Sequence, residues 1–166
     1  MAPHPPLMLS SINNQHIEST AETFGLAPDE IKSLRRQAVE AKATAYCPYS
    51  KFRVGAVLLT NAGAYIPGAN IENAAYPVGT CAERVAFGKA VTEGHRGFKA
   101  VAVATDISPP ASPCGMCRQF IREFCELSMP ILMFDKDENY CVLRLEELLP
   151  MSFGPEDLNG TRQPAN

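Results

Sequence analysis

The chain has 166 residues, 46% of them hydrophobic and 20% charged, with a formal charge of −3 and a pI near 5.6. Those values suit one domain with its own core, and the acidic balance argues against nucleic acid as the main partner, because phosphate neutralisation needs a basic track. No apolar run approaches the roughly 20 residues that cross a bilayer. The first basic residue is Lys32, so neither a membrane partner nor a leader peptide is expected and the expected compartment is the cytoplasm.

Residues 1–25 mix Pro, Ser, Asn and Gln without firm periodicity, which predicts a loosely ordered head with a short helix near 17–23. The expected domain spans 26–160, and 161–166 form a tail. Pro28, Asp29 and Glu30 open a helix with Ile31, Leu34, Ala38 and Ala41 on one face, and Cys47-Pro-Tyr-Ser50 breaks it. Residues 52–59 and 65–70 read as a hairpin about the turn at Asn61-Ala-Gly63. A helix over 81–91, a buried Val-rich strand over 99–104 and a helix over 115–125 follow. Strands at 131–134 and 141–145 and a short helix at 145–149 complete the pattern. Strands alternating with helices predict an α/β domain with a mixed central sheet.

The chemistry concentrates in Cys81-Ala-Glu83 and Pro113-Cys-Gly-Met-Cys117. Both segments fall where a helix begins, and the unpaired amides and positive dipole end there favour a thiolate. Cys114 and Cys117, three apart, share a helical face and can clasp one ion; Cys81 supplies a third sulfur from another helix. Three thiolates hold Zn²⁺ while leaving a position open, the arrangement of catalytic rather than structural zinc. Glu83, in the first turn of its helix, can lean back towards that open position. A redox pair would not account for Cys-Ala-Glu, and a zinc ribbon needs a second Cys-x-x-Cys, which this chain lacks. Three thiolates leave Zn²⁺ with a net negative charge, and Arg84, one turn from Cys81, is placed to offset it by bonding a ligand sulfur. Cys47, Cys125 and Cys141 lack ligand spacing and read as core thiols rather than disulfide partners; His4, His16 and His95 read as loop or surface residues.

His- or Cys-x-Glu followed by Pro-Cys-x-x-Cys is a known signature of zinc deaminases. Four further blocks extend the likeness: Tyr46-Cys-Pro-Tyr-Ser-Lys-Phe-Arg-Val-Gly-Ala56, Gly68-Ala-Asn-Ile-Glu-Asn-Ala-Ala-Tyr76, Ser112-Pro-Cys-Gly-Met-Cys-Arg-Gln119 and Glu147-Leu-Leu-Pro-Met-Ser-Phe-Gly-Pro-Glu-Asp-Leu158. Over about 45–158 the chain resembles the small, homotetrameric cytidine deaminases. The resemblance implies a three-layer α/β/α sandwich with a five-stranded mixed sheet, and four subunits. It implies one Zn²⁺ per chain on Cys81, Cys114 and Cys117, with Glu83 as the catalytic proton shuttle. Asn70 and Glu72 match ribose-binding positions; alternating along an extended segment they would share one side, though a turn-stabilising pair is the alternative. Phe52, beside Val54, matches the ring that stacks on the pyrimidine, and Ala82 offers backbone contacts to the base. Tyr76 and Phe153 match aromatics that reach a neighbour's site.

The implied reaction is hydrolytic deamination of free cytidine and deoxycytidine in pyrimidine salvage. In it a zinc-bound hydroxide attacks C4 and Glu83 carries protons to N3 and to the departing amine. An antibiotic-nucleoside deaminase of the blasticidin type shares the zinc site, but the Asn70-x-Glu72 pair and the aromatic blocks favour the ribonucleoside. Polynucleotide editing conflicts with the acidic balance. A zinc-stabilised interaction module remains the non-enzymatic alternative.

Overall fold

A computed structural model describes residues 6–158. In chain order the elements are β1 (Leu9–Ser10), α1 (Asn14–Phe24), α2 (Pro28–Lys42), β2 (Val54–Thr60) and β3 (Tyr65–Ala69). After a 3-10 turn at Tyr76–Val78 come α3 (Ala82–Thr92), β4 (Phe98–Thr105), α4 (Gly115–Phe124), β5 (Pro130–Phe134), β6 (Asn139–Arg144), α5 (Leu145–Leu148) and α6 (Pro155–Leu158). The strands form one mixed sheet in the order β1-β6-β5-β4-β2-β3, in which only β4 and β5 run parallel. That parallel pair needs a crossover, and the β4–α4–β5 connection supplies it.

Six strands stand where the resemblance implied five. The extra one, β1, lies in the expected loose head: Leu9 pairs with Tyr140 and Ser10 with Asn139. The helix there is also longer than the sequence suggested. Asn13 accepts hydrogen bonds from the amides of Gln15 and His16, and Gly25 closes the other end at φ 65°. Ile17 and Ala21 are buried, and Thr20 bonds the Tyr140 hydroxyl at 2.7 Å. The expected 161–166 tail and His4 lie outside the described residues.

The sheet's side chains divide by parity. Val57, Leu59, Ala100, Ala102, Ala104, Leu132 and Phe134 pack with Ile17, Ile31, Leu34 and Ala38 of α1 and α2. Ala56, Leu58, Val101, Val103, Ile131 and Met133 pack with Ala86 and Phe87 of α3, Ile121 of α4 and Leu145 of α5. Two glycines let helices lie directly on strands. A Cβ on Gly55 would come within 2.1 Å of the Ala38 carbonyl oxygen, and one on Gly68 within 2.5 Å of the Ala86 nitrogen. The second contact matters most for chemistry, because it seats the start of α3 against the sheet.

Strand ends differ from the sequence reading in one instructive place. Residues 52 and 53 were expected in a strand, but β2 starts at Val54, and Phe52 sits in the preceding loop. Cys47 is likewise a half-buried loop residue, not a core thiol, whereas Cys125 and Cys141 are buried.

Candidate metal and substrate site

Two helices begin at cysteines. Cys81 is the residue capping the start of α3 and Cys114 that capping α4, both with extended backbone. Cys117 is in the first turn of α4 and fully buried. The three sulfurs lie within 4.8 Å of one another, and Cys81 Sγ is 3.8 Å from Cys114 Sγ. Zn–S bonds of about 2.3 Å at the tetrahedral angle place sulfurs roughly 3.8 Å apart. The cluster therefore fits one zinc ion and is too wide for a disulfide.

The electrostatics ask for a cation. A hydrogen bond from the Cys117 thiol, helped by Arg84, draws the Cys81 thiol down to about 5, while burial does not prevent it. Cys117 moves the other way, chiefly because it donates to Cys81. Without a central positive charge Cys117 keeps its proton for Cys81; a dication lets the sulfurs bind as thiolates.

Glu83 is 4% exposed, and burial pushes its carboxyl above the ordinary carboxylate range. It lines the same cavity as Cys81 and Cys114. Because Cys81 caps α3 rather than lying within it, two residues along the chain suffice to bring carboxyl and sulfur to one space. Ala82, between them, is fully buried.

That cavity holds about 310 Å³ and is lined by Ser50, Phe52, Val54, Asn70, Glu72, Cys81, Glu83, Val103, Thr105, Ala111, Ser112 and Cys114. Sequence reading had singled out Phe52, Val54, Asn70 and Glu72, and the fold brings all four to the metal cluster. Both polar residues also hold the loop around Phe52. Asn70 Nδ2 donates to the Phe52 carbonyl at 2.9 Å and its Oδ1 accepts from the Val54 amide at 2.8 Å. Glu72 accepts from the Tyr49 amide at 2.9 Å and from that of Ser50 at 3.2 Å. The turn-stabilising role weighed for this pair is thus present, alongside their place in the cavity wall.

Tyr76 and Phe153 stand outside this cavity. They are 75% and 55% exposed. Tyr76 lines an adjoining hollow of about 270 Å³ with Tyr49, Ser50 and Glu72, and Gln119 Nε2 donates to the Phe153 carbonyl at 2.9 Å. Arg84 donates to the Gly79 carbonyl at 3.3 Å and approaches Cys81 Sγ at 4.0 Å. His16 accepts from the Ser10 amide through Nδ1, and neither it nor the half-buried His95 belongs to the metal cluster.

Thr105, Val103, Ala111 and Ser112 were not singled out from the sequence. Strand parity was the signal available for two of them: Val103 and Thr105 share the β4 face that carries the start of α3. Asp106 was missed as well. It receives Arg53 Nε at 2.8 Å and Lys42 Nζ at 2.8 Å, tying the Phe52 loop and the end of α2 to the end of β4.

The fold and three-sulfur cluster define a zinc-binding, deaminase-like domain. Residues 28–133 match the family model described as the cytidine and deoxycytidylate deaminase zinc-binding region. The chain is 47% identical over 130 residues to a cytidine deaminase of Sporosarcina psychrophila, covering 78% of this chain and 96% of that protein. To a probable cytidine deaminase of Dictyostelium discoideum it is 40% identical over 131 residues, covering 78% and 88%. A cytidine deaminase crystal structure from Burkholderia pseudomallei superposes with a TM-score of 0.72 at 38% identity, covering 74% of this chain and 98% of that one. This chain belongs to the cytidine deaminase family.

Proposed function

We propose that the protein hydrolytically deaminates cytidine and deoxycytidine, giving uridine or deoxyuridine and ammonia, in pyrimidine salvage. One observation carries this reading: a buried carboxyl and a three-sulfur zinc cluster share a nucleoside-sized cavity with an aromatic ring and two sugar-capable polar side chains. Relatives named cytidine deaminase, one of them 47% identical, support the substrate class.

When bound, zinc supplies a Lewis acid that brings the pKa of a water towards neutrality. Cys81, Cys114 and Cys117 hold it. Glu83 would take a proton from the attacking water and give it to N3 of the pyrimidine, then take the proton of the hydroxyl newly bonded to C4 and hand it to the amine as the C4–N bond breaks, leaving the C4 carbonyl. Its raised pKa suits a group that must both accept and return a proton near neutral pH. Phe52 faces the base from its clamped loop. Asn70 and Glu72 retain acceptor capacity for ribose hydroxyls beyond the bonds they give the loop.

We read the domain as an α/β/α sandwich within 26–160, consistent with the two core clusters on opposite parities of the sheet, acting as a homotetramer in the cytoplasm. Tyr76 and Phe153 would complete neighbouring sites, a reading supported by their exposure and their absence from the wall of their own cavity. No nucleic acid or membrane partner is proposed, and among the described residues no helix is long and apolar enough to cross a membrane.

The test is loss of ultraviolet absorbance when purified protein meets cytidine, with uridine identified by chromatography. No conversion of cytidine or deoxycytidine by zinc-replete protein would overturn the reading. Light scattering of the active species checks assembly; a fully active monomer would remove the roles given to Tyr76 and Phe153.

A further inference from the structure

Thr105 is 2% exposed, and its Oγ1 has no hydrogen-bond partner among the described residues. A buried hydroxyl left unpaired weakens a fold, since the water it lost is not replaced. The position has no packing need for oxygen: Val101 and Val103, which precede it on the same face of β4, are apolar, and its cross-strand partner is Val54. Thr105 is nevertheless in the wall of the metal cavity, with Val54 and Val103 beside it and Glu83 and Cys114 across the same space.

The main chain there is held firmly. Lys42 Nζ donates to the Thr105 carbonyl at 3.2 Å, and Asp106 is fixed by Arg53 and Lys42. Only the side-chain torsion is adjustable, and for threonine in a strand it exchanges hydroxyl and methyl between neighbouring wells.

We infer that Thr105 is a binding residue for the nucleoside: its hydroxyl hydrogen-bonds the polar edge of the pyrimidine that rests on the Val54–Val103 floor. The inference deepens the deaminase reading and rests on it. A hydroxyl can donate or accept, so it serves both the amino and the oxo form of the ring. A site built to bond a polar edge also disfavours an occupant that cannot answer it.

Two variants separate a ligand contact from a structural one. Thr105→Val keeps the shape and removes the oxygen; Thr105→Ser keeps the oxygen and removes a methyl. Three quantities are read for each: KM and kcat for cytidine, zinc content, and the thermal midpoint without nucleoside. Thr105→Val should raise KM about tenfold with kcat changed less than roughly threefold, zinc unchanged, and a midpoint equal to or above wild type. Thr105→Ser should restore KM to within about twofold. A Thr105→Val KM within that twofold band overturns the inference. So does a midpoint several degrees below wild type, or failure to fold, since either gives the hydroxyl a structural partner. Wild-type protein that leaves cytidine and deoxycytidine untouched overturns the deaminase reading itself, a different result from an active enzyme indifferent to Thr105.

Discussion

The side-chain amide of Asn70 spans the main chain on both sides of Arg53, donating to the Phe52 carbonyl and accepting from the Val54 amide. It does the work of a missing ladder rung, so β2 can start at Val54 while Phe52 turns into the cavity. Asn70→Ala should lose two hydrogen bonds at roughly 0.5–1.5 kcal/mol each. The expected result is a thermal midpoint lower by several degrees and KM for cytidine raised at least about tenfold. An unchanged KM would show that Phe52 keeps its place without the clamp.

Cys114 and Glu83 should fail in different ways. Cys114→Ala removes one of three sulfurs, and metal analysis should find most of the zinc gone. Glu83→Gln should retain zinc and fold but lose the proton carrier, lowering turnover by about 10²–10⁴ or more. Full zinc in the first variant, or less than a tenfold loss in the second, would contradict the assigned roles.

Arg84 approaches Cys81 Sγ at 4.0 Å from the first turn of α3. Three thiolates give the zinc cluster a net negative charge, which weakens it as an acid, and a guanidinium beside one sulfur draws part of that charge away. Arg84→Gln is expected to keep much of its zinc and lose activity near neutrality, with the alkaline limb of the pH–rate profile relatively spared. An unaltered profile would reduce Arg84 to a support for the Gly79 carbonyl.

Asp106 links the pH behaviour of the fold to the Phe52 loop. Burial opposes its ionisation, but hydrogen bonds from Arg53 and Lys42 outweigh that and hold the carboxyl below its ordinary range. A depressed carboxylate contributes stability that is complete above its unfolded pKa of about 3.9 and is lost as pH falls through the folded value. Thermal midpoints of wild type should therefore drop as pH falls below about 4, beyond the general acid loss. Asp106→Asn should be less stable at neutral pH and show a shallower acid decline. Parallel curves for the two proteins would rule out this contribution.

The cysteine cluster and its neighbouring carboxyl were legible because short covalent spacings at helix starts set them: Cys81 and Glu83 are two apart, Cys114 and Cys117 three. The hairpin, α3, β4 and α4 were legible because their apolar periods are regular. Phe52 was misread as a strand residue because its loop depends on the Asn70 and Glu72 side chains, which no local pattern encodes. β1 was missed because two residues cannot display an alternation; Leu9–Ser10 becomes a strand only once Tyr140 is beside it. The expected strand stopped at Ala104, so Thr105 was passed over; its buried, unpaired hydroxyl on a residue of the cavity wall is what distinguishes it.

The β1 pairing also protects an edge of the sheet. Leu9 and Ser10 are separated from their partners Tyr140 and Asn139 by most of the described chain. Such distant contacts pay a closure entropy before they return anything, and of the sheet's pairings β1–β6 has the longest loop to close, while the β2–β3 hairpin closes over a short turn. With β1 absent, the outer edge of β6 would offer its unpaired amides to any other extended chain. β1 thus guards that edge, and removing residues 6–24 should be felt first as aggregation rather than as damage to the metal cluster.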